Sequence, residues 1–161
     1  MGLTTRVNKF LDSISKYYEG VSCYVRSKYK LGKCDELLPK EFCEGFERID
    51  CISLRDLING DVVRDELLVR NDRLDVLIHV SRDAKVCILE VSAREVILDV
   101  DECMRVDEGD LLAYLITGKG EVRGFQSRCK GYIVLIEELV GRPQTYKIYV
   151  VGDEYVREVR Q

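Results

Sequence analysis

Short runs rich in valine, isoleucine and leucine, each bounded by turn-forming residues, constrain the fold of this chain more than any other feature of its sequence. Three such runs follow one another at residues 62–70, 74–80 and 85–91. Runs of this length are typical of β-strands, so we predict an antiparallel meander. Two more strands are predicted at residues 131–139 and 145–151, and a tail at residues 155–159 is expected to pair at a sheet edge.

Apolar residues at helical spacing predict helices in other parts of the chain. A first helix is expected from Thr4 or Thr5, which can cap it, to Gly20, which would stop it. Further helical segments are predicted at residues 39–49, after Ser53 and at residues 110–116, whereas residues 21–30 fit a strand and residues 93–100 fit either structure. The fold class is therefore α/β (mixed α+β), with a central mixed β-sheet that contains the meander and is flanked by helices.

Length and composition favour one soluble domain over residues 1–161. Hydrophobic residues make up 46% and charged residues 34%, and no apolar run reaches the length of a membrane span. The first residues lack the apolar core of a signal peptide, so we expect a cytoplasmic protein without membrane contact. Most of the seven cysteines are then expected to be core thiols, with one disulfide as an alternative. The lack of Trp and the many Arg, Glu and Val residues are a bias found in proteins from hot environments.

The net charge of −4 conceals an acidic centre between basic flanks. Residues 1–40 hold eight basic and four acidic residues (+4), residues 41–118 hold nine and nineteen (−10), and residues 119–161 hold eight and six (+2). A basic strand face and a glycine-rich basic loop at residues 119–130 could meet nucleic-acid phosphates, and ordinary solvated surface is the alternative. The candidate nucleic-acid-binding residues are Arg26, Lys28, Lys30, Lys119, Arg123, Arg128 and Lys130.

Two acidic residues, Asp75 and Glu90, each interrupt a run that is otherwise apolar. If the intervening hairpin closes with Val80 opposite Lys85, Asp75 stands directly across from Glu90. Two carboxylates so placed repel each other unless a proton, a cation or a divalent metal compensates, and oxygen ligands favour Mg²⁺ or Mn²⁺. The alternative is a register shifted by one residue, with Asp75 at a sheet rim and Glu90 paired with an arginine.

The segments Leu74-Asp75-Val76-Leu77 and Ile88-Leu89-Glu90-Val91-Ser92 resemble the core of the PD-(D/E)XK superfamily of restriction-endonuclease-like and archaeal resolvase-like nucleases. The resemblance implies a restriction-endonuclease-like fold in which Asp75 and Glu90 bind Mg²⁺ or Mn²⁺. Ser92 stands where the family has its catalytic lysine, which would stabilise the transferred phosphate. Cations that could replace that lysine are Lys85, Arg94 and Lys119.

Other features carry weaker predictions. The single histidine, His79, is a candidate general base, although a half-buried imidazole with satisfied hydrogen bonds is the simpler expectation. Cys34, Cys43 and Cys51 lack metal-site spacing, and the acidic run between residues 99 and 110 fits a solvated face. The sequence contains no phosphate-binding P-loop, dinucleotide-binding fingerprint or nucleophile elbow, which disfavours ATP-driven, hydride-transfer and serine-hydrolase functions.

These features together predict a metal-dependent nuclease that cleaves DNA phosphodiester bonds, with RNA as an alternative substrate. Asp75, Glu90, Ser92 and Lys85 are its candidate catalytic residues. Loss of the family's lysine leaves open a degenerate nuclease, and the alternative function is a non-catalytic nucleic-acid- or protein-binding module of an archaeal virus or mobile element. An exposed edge strand at the C-terminus also makes a homodimer an expectation.

Overall fold

A computed structural model describes residues 20–26 and 37–159, and in this part of the chain β-strands predominate. The predicted first helix lies outside the described residues. Helical structure within them consists of α1 (Lys40–Cys43) and two 3₁₀ helices, Cys51–Leu57 and Asp153–Tyr155. The strands, in chain order, are β1 (Val21–Arg26), β2 (Phe46–Ile49), β3 (Ile58–Asn59), β4 (Val62–Val63), β5 (Leu67–Asn71), β6 (Val76–Val80), β7 (Ala84–Ala93), β8 (Glu95–Leu98), β9 (Arg105–Val106), β10 (Leu111–Ile116), β11 (Val122–Gln126), β12 (Gly131–Leu139), β13 (Gln144–Val151) and β14 (Val156–Val159).

The strands form three sheets, and every strand pair in the described residues is antiparallel. The five-stranded sheet has the order β14-β6-β5-β1-β2, the six-stranded sheet β3-β4-β7-β13-β12-β9, and the three-stranded sheet β11-β10-β8. The prediction of a fold that contains both helices and strands is thus confirmed, although the helices are few. The predicted central sheet with mixed strand directions does not form in these residues, because their strand pairs are all antiparallel.

The six-stranded sheet lies between the other two sheets. Successive side chains of a strand point to opposite faces, so one strand can contribute to two cores. Tyr149 and Val151 of β13 pack in a cluster with Val69 and Ile78 of the five-stranded sheet. Neighbouring residues of β13, such as Ile148, pack in a second cluster with the three-stranded sheet. This alternation explains why β13 is apolar almost throughout its length.

A third cluster covers the outer face of the five-stranded sheet. Tyr24 and Leu68 of that sheet pack there with Phe42 of α1 and with Phe46 of β2. The predicted helix over residues 39–49 is therefore wrong in its second half, because the segment ends its helical turn at Cys43 and continues as β2. A strand at this position pairs with β1 and covers a sheet edge that would otherwise present unpaired backbone groups.

The predicted meander forms only in part. β5 and β6 pair as expected, and β14 adds to the free edge of β6 as predicted for the tail. β6 and β7 do not pair, however, because β7 pairs with β4 and β13 in a different sheet. The short connection after Val80 therefore carries the chain from one sheet to another and does not close a hairpin.

Residues 110–116, predicted as a helix, form strand β10 between β8 and β11. Their four apolar residues fit helical spacing, but they also fit a strand that carries apolar side chains on both faces. The glycine-rich segment, predicted as a loop, contains strand β11. The prediction missed this strand because it placed a helix at β10, the strand with which β11 pairs. Strands β12 and β13 match their predictions closely.

Candidate functional site

Asp75 lies in the turn between β5 and β6 and not within a strand. Its φ of 54° is left-handed, and its backbone N–H donates to the Asp72 carbonyl over 3.3 Å. The side chain of Asn71 organises the turn by accepting hydrogen bonds from the N–H groups of Arg73 (3.0 Å) and Leu74 (3.3 Å). Aspartate tolerates the left-handed region better than most residues, so a turn position explains Asp75 without a role in metal binding.

Glu90 lies on β7, where it is opposite Lys147 of β13, and Lys147 is in turn opposite Glu137 of β12. The predicted register that placed Glu90 across from Asp75 is therefore wrong, because their segments belong to different sheets. Ser92 is two residues further along β7, and its hydroxyl lies 2.7 Å from that of Thr145.

Lys85 is also on β7, but five positions from Glu90, so the two side chains point to opposite faces of the strand. It is exposed and lies opposite Val62. The structure thus brings Ser92 onto the same strand face as Glu90 but does not bring Asp75 or Lys85 to them. Within residues 20–26 and 37–159, no three His, Cys, Asp or Glu side chains are grouped closely enough to hold a metal ion.

An ion pair with a buried carboxylate, which sequence reasoning missed, lies on the other side of Lys147 from Glu90. The Glu137 carboxylate is almost inaccessible and accepts a hydrogen bond from Arg55 over 3.1 Å, and the Tyr149 hydroxyl lies 3.4 Å from its other oxygen. Burial, together with the neighbouring Glu137 charge, raises the pKa of Tyr149 to about 12. A carboxylate whose two oxygens both have protein partners is held in place, which is typical of a structural ion pair.

The basic face predicted near Arg26 is neutralised where the structure describes it. Arg26 donates two hydrogen bonds of 3.0 Å to the two carboxylate oxygens of Glu66, and its guanidinium lies 4.7 Å from the centre of the Phe46 ring. Arg26 is therefore engaged within the protein and is not a free phosphate ligand. Lys28 and Lys30 lie outside the described residues.

His79 completes this cluster, since its Nε2 lies 2.9 Å from Glu66, and its ring stacks on Phe42. Partial burial alone would raise the pKa of Glu66, but the hydrogen bonds from Arg26 and His79 hold that pKa below its usual value. His79 is half-buried with a satisfied ring nitrogen. This is the simpler of the two arrangements expected for it.

The second basic segment contributes exposed cations that do not converge on one site. Arg123 pairs with Glu121 over 3.1 Å, and Arg128 donates to the Ile88 carbonyl over 3.2 Å. Lys130, immediately before β12, is exposed. Ordinary solvated surface, the alternative expected from the sequence, describes Arg123 and Arg128 better than a phosphate-binding loop.

Lys119 occupies a distinct position at the tip of the β10–β11 hairpin. Thr117 and Glu121 close the turn, since the Thr117 N–H donates to the Glu121 carbonyl (2.9 Å) and the Glu121 N–H donates to the Thr117 hydroxyl (3.1 Å). Gly120 adopts a φ of 81° and donates to the Thr117 carbonyl, which completes a three-residue loop. A Cβ atom added to Gly118 or Gly120 would meet nothing within 4 Å, so the flanks of Lys119 are open.

A surface pocket of about 370 Å³ lies on another part of the molecule. Asp99, Asp101 and Glu102 line it together with Arg73, whose guanidinium lies 3.0 Å from Asp101. Burial raises the pKa of Glu102 to about 7, even though the backbone N–H of Ile136 donates to its carboxyl. Glu102 therefore departs from the solvated face that the sequence predicts for this acidic run, whereas Asp99 is exposed as expected.

The cysteines form more disulfides than expected. Cys23 is bonded to Cys51 and Cys87 to Cys129, and Cys43 is also in a disulfide. Among the cysteines that the structure describes, Cys103 alone fits the predicted buried thiol, and burial raises its pKa. Intracellular disulfides occur in proteins from hot environments, and the amino-acid composition of this chain has the bias found in such proteins.

These observations define an antiparallel, sheet-rich protein with an exposed lysine at the tip of a hairpin. Residues 17–154 match the model of a family described as "Uncharacterized protein conserved in archaea (DUF2118)". The match covers most of the chain, which therefore belongs to this archaeal family. No curated protein matches the chain significantly. In the part of the chain that the structure describes, none of the helices has the length and apolarity needed to cross a membrane.

Proposed function

We propose that this chain is a non-catalytic carrier module, and that a cofactor carboxylic acid is attached to Lys119 through an amide bond. The observation that carries the proposal is the display of one primary amine at the tip of a closed hairpin between two glycines with open surroundings. A group held there is fixed to a stable sheet and can still reach the active site of another protein.

The other described lysines lack this presentation. Lys85 and Lys147 lie within strands, Lys40 lies in α1, and Lys130 immediately precedes β12. A modifying enzyme must surround the amine and several residues on both sides of it. Among the described lysines, only Lys119 protrudes from a turn that such an enzyme could enclose without opening the fold.

The chemistry requires an activated acyl group, which a separate ligase would supply as an acyl adenylate. The unprotonated Nζ of Lys119 attacks the acyl carbon, the new C–N bond replaces the acyl–phosphate C–O bond, and AMP leaves while the amine proton passes to solvent. Biotin and lipoic acid are group carriers of this chemical class. The protein supplies the position of the carrier, and the cofactor supplies the reactivity.

Metal-dependent cleavage of DNA stays a prediction that rests on the sequence resemblance, and the restriction-endonuclease-like fold stays part of it. Its central requirement was a cross-strand pair of Asp75 and Glu90, and the strands that would form that pair do not pair. Incubation with supercoiled DNA and Mg²⁺ or Mn²⁺ tests this function directly. The carrier proposal is also non-catalytic, but it is a different function from the nucleic-acid- or protein-binding module that the sequence offers as its alternative.

Mass spectrometry of the protein isolated from its native archaeal cells tests the carrier proposal. We expect the tryptic peptide that spans Lys119 to carry an added acyl mass, and trypsin not to cleave after this residue. Lys119→Arg keeps the positive charge but cannot form the amide, so this variant should carry no added mass. The matched control, Lys130→Arg, should be modified as fully as the wild type.

A second variant tests the importance of the position. Gly118→Lys combined with Lys119→Gly moves the amine by one residue along the same loop, and modification should fall at least about tenfold if a ligase recognises the hairpin geometry. Unmodified Lys119 in protein from native cells would overturn the proposal, as would equal labelling of Lys119 and Lys130.

A further inference from the structure

Strand β11 is an edge of the three-stranded sheet, and no other described strand covers its outer side. All of its residues except Phe125 are exposed. An uncovered edge presents unpaired N–H and C=O groups to any strand of suitable length. The backbone and side chains of β11 then decide which strand fits this edge.

The hydrogen bonds of the hairpin show which backbone groups point outward. Glu121 directs its carbonyl toward β10, where it accepts the Thr117 N–H. Because residues of an antiparallel pair alternate between bonded and non-bonded positions, the backbone groups of Val122 and Gly124 point away from β10. These two residues can exchange hydrogen bonds with a second strand.

We propose that this edge pairs with the same edge of a second copy of the chain, antiparallel and centred on Val122. In this register Val122 exchanges hydrogen bonds with Val122 of the second copy. Glu121 then faces Arg123 of the second copy, and the two-fold axis repeats this pair, so two opposite-charge contacts form across the interface. A register centred on Gly124 would instead place Arg123 opposite Phe125, without a charge partner.

The outer face of the three-stranded sheet carries exposed apolar side chains. Val122 is 66% exposed, Ile97 is 47% exposed and Tyr114 is 42% exposed. Tyr114 is opposite Ile97, and Val122 is opposite Ile116 in the next row, so these side chains share one face. Edge pairing joins this face to its copy as one continuous apolar surface across six strands.

This inference goes beyond the carrier proposal and does not depend on it. The Gly120 N–H already donates to the Thr117 carbonyl, so the ladder runs from Glu121 opposite Arg123 to Arg123 opposite Glu121, and Lys119 lies outside it. Amide attachment and dimerisation are measured by different experiments, so the failure of one proposal is distinguishable from the failure of the other.

Charge reversal tests the proposed register. Sedimentation velocity over a concentration series should show a monomer–dimer equilibrium for the wild-type chain. Glu121→Arg and Arg123→Glu each place like charges opposite each other twice, and each should weaken dimerisation about tenfold. The double variant reverses both charges and should restore the dissociation constant to within about threefold of the wild type.

Two further variants complete the experiment. Glu47→Arg makes the same change of charge on β2, in another sheet, and should leave the dimer unchanged. Val122→Pro removes an outward N–H without removing a bond to β10, so it should abolish the dimer while the thermal melt persists. A wild-type chain that is monomeric at all concentrations would overturn the inference, and so would single variants that dimerise as well as the double variant.

Discussion

Replacing Glu102 by glutamine removes the titration of one buried carboxyl group and leaves the other titratable groups in place. Its pKa is raised from 4.5 to about 7, chiefly because burial disfavours the charged form. The folded protein therefore binds the Glu102 proton more tightly than the unfolded chain. Titration of Glu102 therefore does not change the free energy of unfolding below pH 4.5. It lowers that free energy as the pH rises toward 7, and the loss then stays constant. A difference of about 2.5 pKa units corresponds to about 3 kcal/mol.

Urea unfolding between about pH 4 and pH 8, with the disulfides kept intact, measures this effect. Glu102→Gln keeps an oxygen that can accept the Ile136 N–H but cannot ionise. We expect the variant and the wild type to have similar unfolding free energies at about pH 4, and the variant to be more stable by up to about 3 kcal/mol at about pH 8. The control, Glu95→Gln, changes an exposed glutamate and should follow the wild type. Parallel curves for Glu102→Gln and the wild type would refute the reasoning.

Three further predictions concern backbone, ion-pair and thiol positions. Gly131→Ala should cost at least about 3 kcal/mol more in urea unfolding than Gly141→Ala. Both glycines have positive φ, but only at Gly131 does an added Cβ clash with a backbone carbonyl, that of Val151. Arg55→Gln should lower the melting temperature by leaving the buried Glu137 carboxylate without its cation, and adding Glu137→Gln should recover part of the loss; no recovery would show that the pair is not coupled. Cys103 should resist maleimide in the native protein and react after denaturation, since burial raises its pKa; rapid native labelling would contradict its burial.

Strands with a strong local signal could be predicted from the sequence. β12 and β13 are long and rich in Val, Ile and Tyr, and the segment between them contains Gly141 and Pro143, so their identity and their antiparallel pairing follow from local rules. β10 could not be distinguished from a helix, because its apolar residues face both the core and an exposed apolar surface. A period of 2 is hidden when both faces of a strand are apolar.

The predicted cross-strand pair of Asp75 and Glu90 depended on a single assumption about topology, and that assumption was wrong. The short segment between Val80 and Ala84 has the composition of a hairpin turn, but β6 finds its partners in β5, which precedes it, and in β14, near the end of the chain. Local turn composition does not report which distant strand will occupy an edge. Glu137 was missed for a similar reason, since its partner Arg55 is 82 residues away.

The disulfide between Cys87 and Cys129 closes a covalent ring that contains the whole three-stranded sheet, since β8, β10 and β11 all lie between these two cysteines. A protease that cuts the exposed hairpin tip would therefore leave one molecule of unchanged mass apart from an added water, and two fragments would separate only after reduction. Local opening of the hairpin is likewise confined, because its two ends stay tethered to the six-stranded sheet. Another protein can therefore bind or cut the hairpin while the chain segments on both sides of the sheet stay covalently joined.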